Sequence, residues 1–320
     1  SARDHYSKCF VEHSVRAAKS ARLVVANHAL VMINAAIASP EDDMPTRYVF
    51  DEGHHLFDAA DSAYAAHLTA RETRDMRRWI LGNEGGRRGS RARGLKRRAE
   101  DLAEGMQDAE ELLRKILSAA EALPMDNWTR RLRDGQPSGP TEKFMAAVYG
   151  QVFARANGRD GPYSLETDVL PVEENVLEAA KHLKKALVEL QKPMQDLAKA
   201  FHKKLTDDVE GHLATDTRKR LEAVANSLER RANLTLAAWI AMLENLQTQE
   251  KNADFVDWLE IERIDGRAID VGYYRHHVDP MKPFAASMAP HLHGMAVTSA
   301  TLRDTEDWQN ARIRSGAHYL

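Results

Sequence analysis

Tyr48-Val49-Phe50-Asp51-Glu52-Gly53-His54-His55 is the stretch on which the reading of this chain turns. Three apolar residues stopped by two adjacent acids have the pattern of a short buried strand opening into a turn and a helix. In open α/β sheets that end of a strand is where ligands bind. An Asp there can hold Mg²⁺, and the next Glu can orient or deprotonate the water that attacks a γ-phosphate. His54 is placed to sense the phosphate and pass its loss to a neighbouring strand. The same residues admit a plainer reading, in which Asp51 caps a helix over 53–66 and Glu52 is its first-turn acid.

Outward from this stretch, the pattern repeats on both sides. Residues 8–20 are amphipathic, and Leu23-Val24-Val25-Ala26 is a second short apolar run, ending at Asn27-His28. It reads as another buried parallel strand, with Pro40 and Pro45 bracketing the loop to Tyr48. Far along the chain, Gly294-Met295-Ala296-Val297 is a further strand candidate. It ends at Thr298-Ser299-Ala300-Thr301-Leu302, small hydroxyl residues able to hydrogen-bond a neighbouring acidic loop. Two apolar runs, 255–261 and 269–273, flank Asp265-Gly266-Arg267, which predicts a hairpin.

Between these flanks the texture is helical. Leu95, Ala99, Leu102, Met106, Ala109, Leu113, Ile116, Ala120 and Leu123 alternate at spacings of four and three until Pro124. Stripes of the same kind run from Val176 to Phe201 and from Leu221 to Leu246. Three long helices are predicted, each burying one apolar stripe against the others. Pro193 should kink or split the second. A shorter helix is expected over 142–156. The domain reading is an α/β part at 1–70, an all-helical insert at 71–253, and a return to the α/β part at 254–320.

Composition bounds the function. The 320 residues are 43% hydrophobic and 29% charged, with a net charge of −3, so the whole chain carries no basic signal for nucleic acid. No run of 18 apolar residues predicts a membrane span, and no apolar leader opens the chain, which together predict a cytoplasmic protein. The basic signal is local. Residues 71–98 hold eleven Arg and Lys against three acids, and residues 99–123 hold seven acids against two bases. Arg87, Arg88, Arg91, Arg93, Lys96, Arg97 and Arg98 could follow a phosphate backbone, or could pair with Glu100, Asp101, Glu104 and Asp108 on the next helix. His276-His277 and His291-x-His293 have metal-like spacing but no third ligand, and read as surface or hairpin histidines.

The order of these motifs carries more than any one of them. A strand ending in Asn-His, a strand ending in Asp-Glu-x-His, a helical insert and then Thr-Ser-Ala-Thr-Leu resembles the DinG/XPD-type family of superfamily 2 DNA helicases. The resemblance implies a mainly α chain with an α/β part. That part would be a partial RecA-like motor domain of the P-loop NTPase class, interrupted by an all-α arch insert. It implies ATP and Mg²⁺ as cofactors and single-stranded DNA as partner. Asp51 would hold the Mg²⁺, Glu52 and His54 would be catalytic, and Thr298, Ser299, Ala300 and Thr301 would couple hydrolysis to movement. Gly53 stands where the family most often has Ala, a departure expected to be mild because both are small.

Two parts of the family pattern are missing. No Gly-x-x-x-x-Gly-Lys-Ser/Thr loop occurs in the 320 residues, so the chain is expected to be an internal piece of a longer helicase and inactive alone. The family's iron–sulfur domain uses four cysteines, and this chain has one, Cys9. Four thiolates are the usual requirement, so Cys9 reads as an orphan ligand and no cluster is expected in this chain, though the parent could carry one. Two other functions stay open: a helical DNA- or protein-binding regulatory module, and a DinG-like nuclease.

Overall fold

The computed structural model describes residues 10–38, 44–83, 94–156, 161–208, 211–302 and 307–320. In chain order the first elements are α1 (Phe10–Ser20), α2 (His28–Ile37), β1 (Arg47–Phe50), α3 (Leu56–Tyr64), β2 (Ala66–Thr69) and α4 (Ala70–Leu81). Next come α5 (Leu95–Ala103), α6 (Gln107–Ala119), α7 (Trp128–Arg133), α8 (Gly139–Arg155), β3 (Leu165–Asp168) and α9 (Glu174–Asp207). The remainder is α10 (Thr215–Arg230), α11 (Ala237–Thr248), β4 (Phe255–Ile264), β5 (Arg267–His277), α12 (Met281–Met288), β6 (Gly294–Val297) and α13 (Gln309–Arg314). The chain is mostly helical with a small strand content, and it divides into two compact units, 1–64 with 279–320, and 65–278.

In the first unit β1 and β6 pair in parallel, Arg47 opposite Gly294 and Phe50 opposite Val297. Phe50 is buried and meets Phe284 edge-on at 6.2 Å. Met32, Leu56, Met281 and Met288 complete the core around it. Each such side chain contributes about 1.5–3 kcal/mol on leaving water. Asn27 caps α2, its side-chain oxygen accepting from Leu30 N at 2.9 Å. The expected strand at Leu23–Ala26 does not form. No strand lies beside it among the described residues, and Leu23 and Val25 are 82% and 92% exposed. Without a ladder partner, an apolar run has no means of satisfying its backbone as a strand.

In the second unit a single core joins helices to an antiparallel sheet of order β2-β5-β4-β3. The predicted hairpin forms β4 and β5, and its two turn residues Asp265 and Gly266 both have positive φ, 49° and 75°, as a type I′ turn requires. Its place differs from expectation. The boundaries expected at 70 and 253 fall at 64 and 278. The reason is pairing and burial: β5 bonds to β2, β4 bonds to β3, and Leu259, Ile261, Val271 and Tyr273 enter the helical core.

All three apolar stripes are buried, but not on three helices. The first is cut into α5 and α6 at Gly105, whose φ of 76° is left-handed. Leu102, Ala109, Leu113 and Ile116 keep the stripe buried across the break. The second stripe is α9, 34 residues long, and it runs through Pro193 without splitting. Pro193 and Met194 are both buried there, so packing outweighs the lost hydrogen bond. The third stripe passes from α10 to α11 through a π-helical turn, Arg231–Leu236. Among the described residues no helix is long and apolar enough to cross a membrane.

Candidate active site

The parallel register of β1 and β6 sets two loop starts side by side. Asp51 follows Phe50, Thr298 follows Val297, and those two strand ends are paired. Thr298 N continues the ladder by donating to Phe50 O at 2.8 Å, and Gly53 N donates to Thr298 O at 2.8 Å. Two side-chain contacts then join the loops. Thr298 Oγ1 donates to Asp51 Oδ1 at 2.9 Å, and His54 Nδ1 lies 3.0 Å from Ser299 Oγ. Ser299 Oγ in turn accepts from Thr301 N at 3.3 Å. Thr298 and Ser299 therefore meet the 51–54 box, while Thr301 touches only Ser299. Ala300 is exposed, and the structure gives it no role of its own.

Glu52 is held in a left-handed conformation, φ 52° and ψ 48°. For a non-glycine residue this costs about 1–2 kcal/mol, and such strain concentrates at functional sites. Three hydrogen bonds hold it: Glu52 N to Asp51 Oδ1 at 3.0 Å, Gly53 N to Thr298 O, and His55 N to Glu52 O at 3.0 Å. The conformation directs the Glu52 carboxylate back towards the histidine, with Oε2 3.4 Å from His54 Nδ1. Asp51 does not cap the helix that follows. The cap position of the short 3₁₀ turn Gly53–His55 is Glu52, and no side chain caps it.

Gly53 is buried, and a Cβ there would stand 2.2 Å from Val297 Cγ1 and 3.3 Å from Thr298 O. The expectation that alanine would be a mild change is therefore corrected. Small size alone does not suffice where β6 approaches the backbone this closely, so this glycine and Val297 are matched.

The acids fit the way Mg²⁺ is ordinarily held. That ion takes one or two carboxylates together with substrate phosphates and water, not an all-protein cage. Both acids are exposed, and Asp51 Oδ2 has no protein hydrogen bond among the described residues. Among those residues no group of three or more His, Cys, Asp or Glu is arranged to hold a metal by itself.

Arg87, Arg88, Arg91, Arg93 and Cys9 fall outside the described residues. Lys96 and Arg97 are exposed on α5. Arg98 is half-buried and donates to the carbonyls of Gly94 at 3.5 Å and Trp79 at 3.1 Å. The pairing considered between these three cations and the acids of the following segment does not occur among the described residues. Asp101 is taken instead by Arg220 of α10, through bonds of 2.7 and 2.8 Å. His276 Nε2 lies 3.0 Å from His67 Nε2, a contact between β5 and β2 that spacing along the chain does not reveal. Compared with protein-family models and with curated proteins, the chain matches none.

Proposed function

We propose that the chain works as part of an ATP-dependent DNA helicase that couples ATP hydrolysis to movement on single-stranded DNA. Its first unit would belong to a RecA-like motor domain, and its second would be an arch-like insert. The observation that carries this reading is the pair of contacts Asp51–Thr298 and His54–Ser299. They tie an acidic pair at one strand end to a hydroxyl motif at the end of the parallel neighbour. Such an arrangement would let hydrolysis be reported to a moving element: one loop would meet the nucleotide, and the other is hydrogen-bonded to it.

In this reading Asp51 holds the Mg²⁺ that comes with ATP, and that ion neutralises charge on the transferring phosphate. Glu52, exposed and fixed by its backbone, orients or deprotonates the attacking water. His54 stands between Glu52 and Ser299, within hydrogen-bond reach of Ser299, and relays the state of the site to the 298–301 loop. The phosphate-binding loop would come from the rest of the longer protein.

The test uses that longer protein with the loop present. Glu52→Gln keeps the shape and removes the base, so nucleotide binding stays near normal while steady-state phosphate release in the presence of single-stranded DNA falls by about 10²-fold or more. Wild-type turnover by E52Q overturns the assignment.

A further inference from the structure

Trp79, on α4 in the helical unit, carries two guanidinium groups against its ring. Arg98 Cζ is 5.1 Å from the ring centroid, and Arg231 Cζ is 4.0 Å from it. All three side chains are half-buried. Arg231 opens the π-helical turn between α10 and α11, a kind of turn that recurs at functional sites.

Arg98 uses Nε and Nη2 on the carbonyls of Gly94 and Trp79. Arg231 directs Nη1 to Ser227 O at 3.2 Å and to Ser227 Oγ at 2.7 Å. Among the described residues, Arg98 Nη1 and Arg231 Nε and Nη2 have no protein acceptor. Neither guanidinium pairs with a carboxylate there. Desolvation, then the charges of Arg230 and Arg98, push the Arg231 guanidinium down to about 10. Burial lowers Arg98 as well. The ring attracts each cation through its quadrupole but supplies no net negative charge.

Two cations held on one half-buried ring, with N–H groups and charge unmatched among the described residues, have the chemistry that an oxyanion would complete. Guanidinium forks match phosphate geometry better than any other side chain. We propose that Trp79, Arg98 and Arg231 form a binding site for a phosphate-class oxyanion, delivered by a nucleic-acid backbone or by a free phosphate compound. The site stands apart from the hydrolysis reading of the first unit and does not depend on it.

The experiment uses the full chain with two probes, inorganic phosphate and a fluorescein-labelled dT₂₀ oligonucleotide. Binding is followed by tryptophan fluorescence for the first and anisotropy for the second. Wild type should bind at least one probe saturably. Arg231→Gln and Arg98→Gln should each weaken that binding about tenfold or more, while Arg133→Gln, at an exposed position of α7, binds as wild type. Arg231→Gln relieves a like-charge repulsion but loses the ring contact and the Ser227 bonds, so a cooperative melt without anion is the control that shows the variant is folded. Arg231→Lys keeps the charge but loses the fork and should bind at an intermediate level. Oligonucleotide binding whose log–log salt slope shrinks by about 0.7 in R231Q assigns the site to a nucleic-acid backbone. Binding of inorganic phosphate alone assigns it to a free phosphate compound. No saturable binding of either probe by wild type, or wild-type binding by both glutamine variants, overturns the proposal.

Discussion

His54 Nδ1 lies 3.0 Å from Ser299 Oγ, across 245 residues of chain. A hydrogen bond between such distant positions depends on β1 and β6 pairing in one register. A slip by one residue would turn the facing side chains to the opposite side. Ser299→Ala should therefore cost the first unit about 0.5–1.5 kcal/mol, measured as a shift in urea midpoint. In a double-mutant cycle with His54→Ala the two losses should be less than additive. Full additivity would mean that the two side chains do not interact. Under the helicase proposal, S299A in a longer protein that carries the phosphate-binding loop should also keep ATP hydrolysis while slowing strand displacement.

Gly53 and Val297 form a second matched pair in the same place. Gly53→Ala drives a Cβ to 2.2 Å from Val297 Cγ1, and overpacking of this kind costs about 1–3 kcal/mol. Val297→Ala removes the obstructing methyl group. The double variant G53A/V297A should accordingly be less destabilised than the sum of the two single changes. Thermal melts of the four proteins decide this, and a neutral G53A would show that the two strand ends are further apart than described.

Asp270 gives a pH signature to the helical unit. The carboxyl is buried on β5, and burial, ahead of the opposing bonds from Thr69, Arg71 N and Val271 N, raises it above its ordinary value of 3.8. Burial raises Glu72 and Glu260 nearby as well. The folded protein thus binds these protons more tightly than the unfolded chain does. Stability rises as pH falls through the folded value, and the gain is complete only below the unfolded one. Asp270→Asn keeps an acceptor for the two backbone N–H groups and removes the charge. It should be more stable than wild type at pH 7, and the difference should shrink between pH 7 and pH 4. Chemical denaturation across that range is the measurement, and a constant difference would refute the assignment.

Arg275 is 6% exposed and is held by Asp257 through Nε at 2.8 Å and Nη2 at 2.7 Å, with Asn245 Oδ1 at 2.9 Å. Its Cζ also lies 4.6 Å from the Phe255 ring centroid. Asp257→Ala leaves a buried guanidinium without its counter-charge and should cost about 3–5 kcal/mol. Asp257→Asn keeps one acceptor and should cost less. Equal stability of D257A and wild type, read from urea midpoints, would place Arg275 in solvent.

Local rules make part of this molecule legible from its residues alone. Asp265-Gly266 between apolar runs specifies its own turn, because only residues tolerant of positive φ close a two-residue hairpin. The apolar stripes specify which faces are buried, because a helix places every third or fourth residue on one side. Motif order also selects Asp51, Glu52, His54 and the 298–301 segment as groups to consider together. Pairing and packing decide what lies beyond local rules. Leu23–Ala26 has the composition of a strand, yet it has no strand partner among the described residues, since a strand requires a neighbour that its own residues do not encode. The hairpin joins the helical unit because β2 and β3, distant along the chain, bond to its two edges. Gly105 divides a continuous stripe into two helices, and Pro193 fails to divide another because core packing outweighs one lost hydrogen bond. Trp79, Arg98 and Arg231 sit on three separate segments, so only tertiary packing could bring two cations onto one ring.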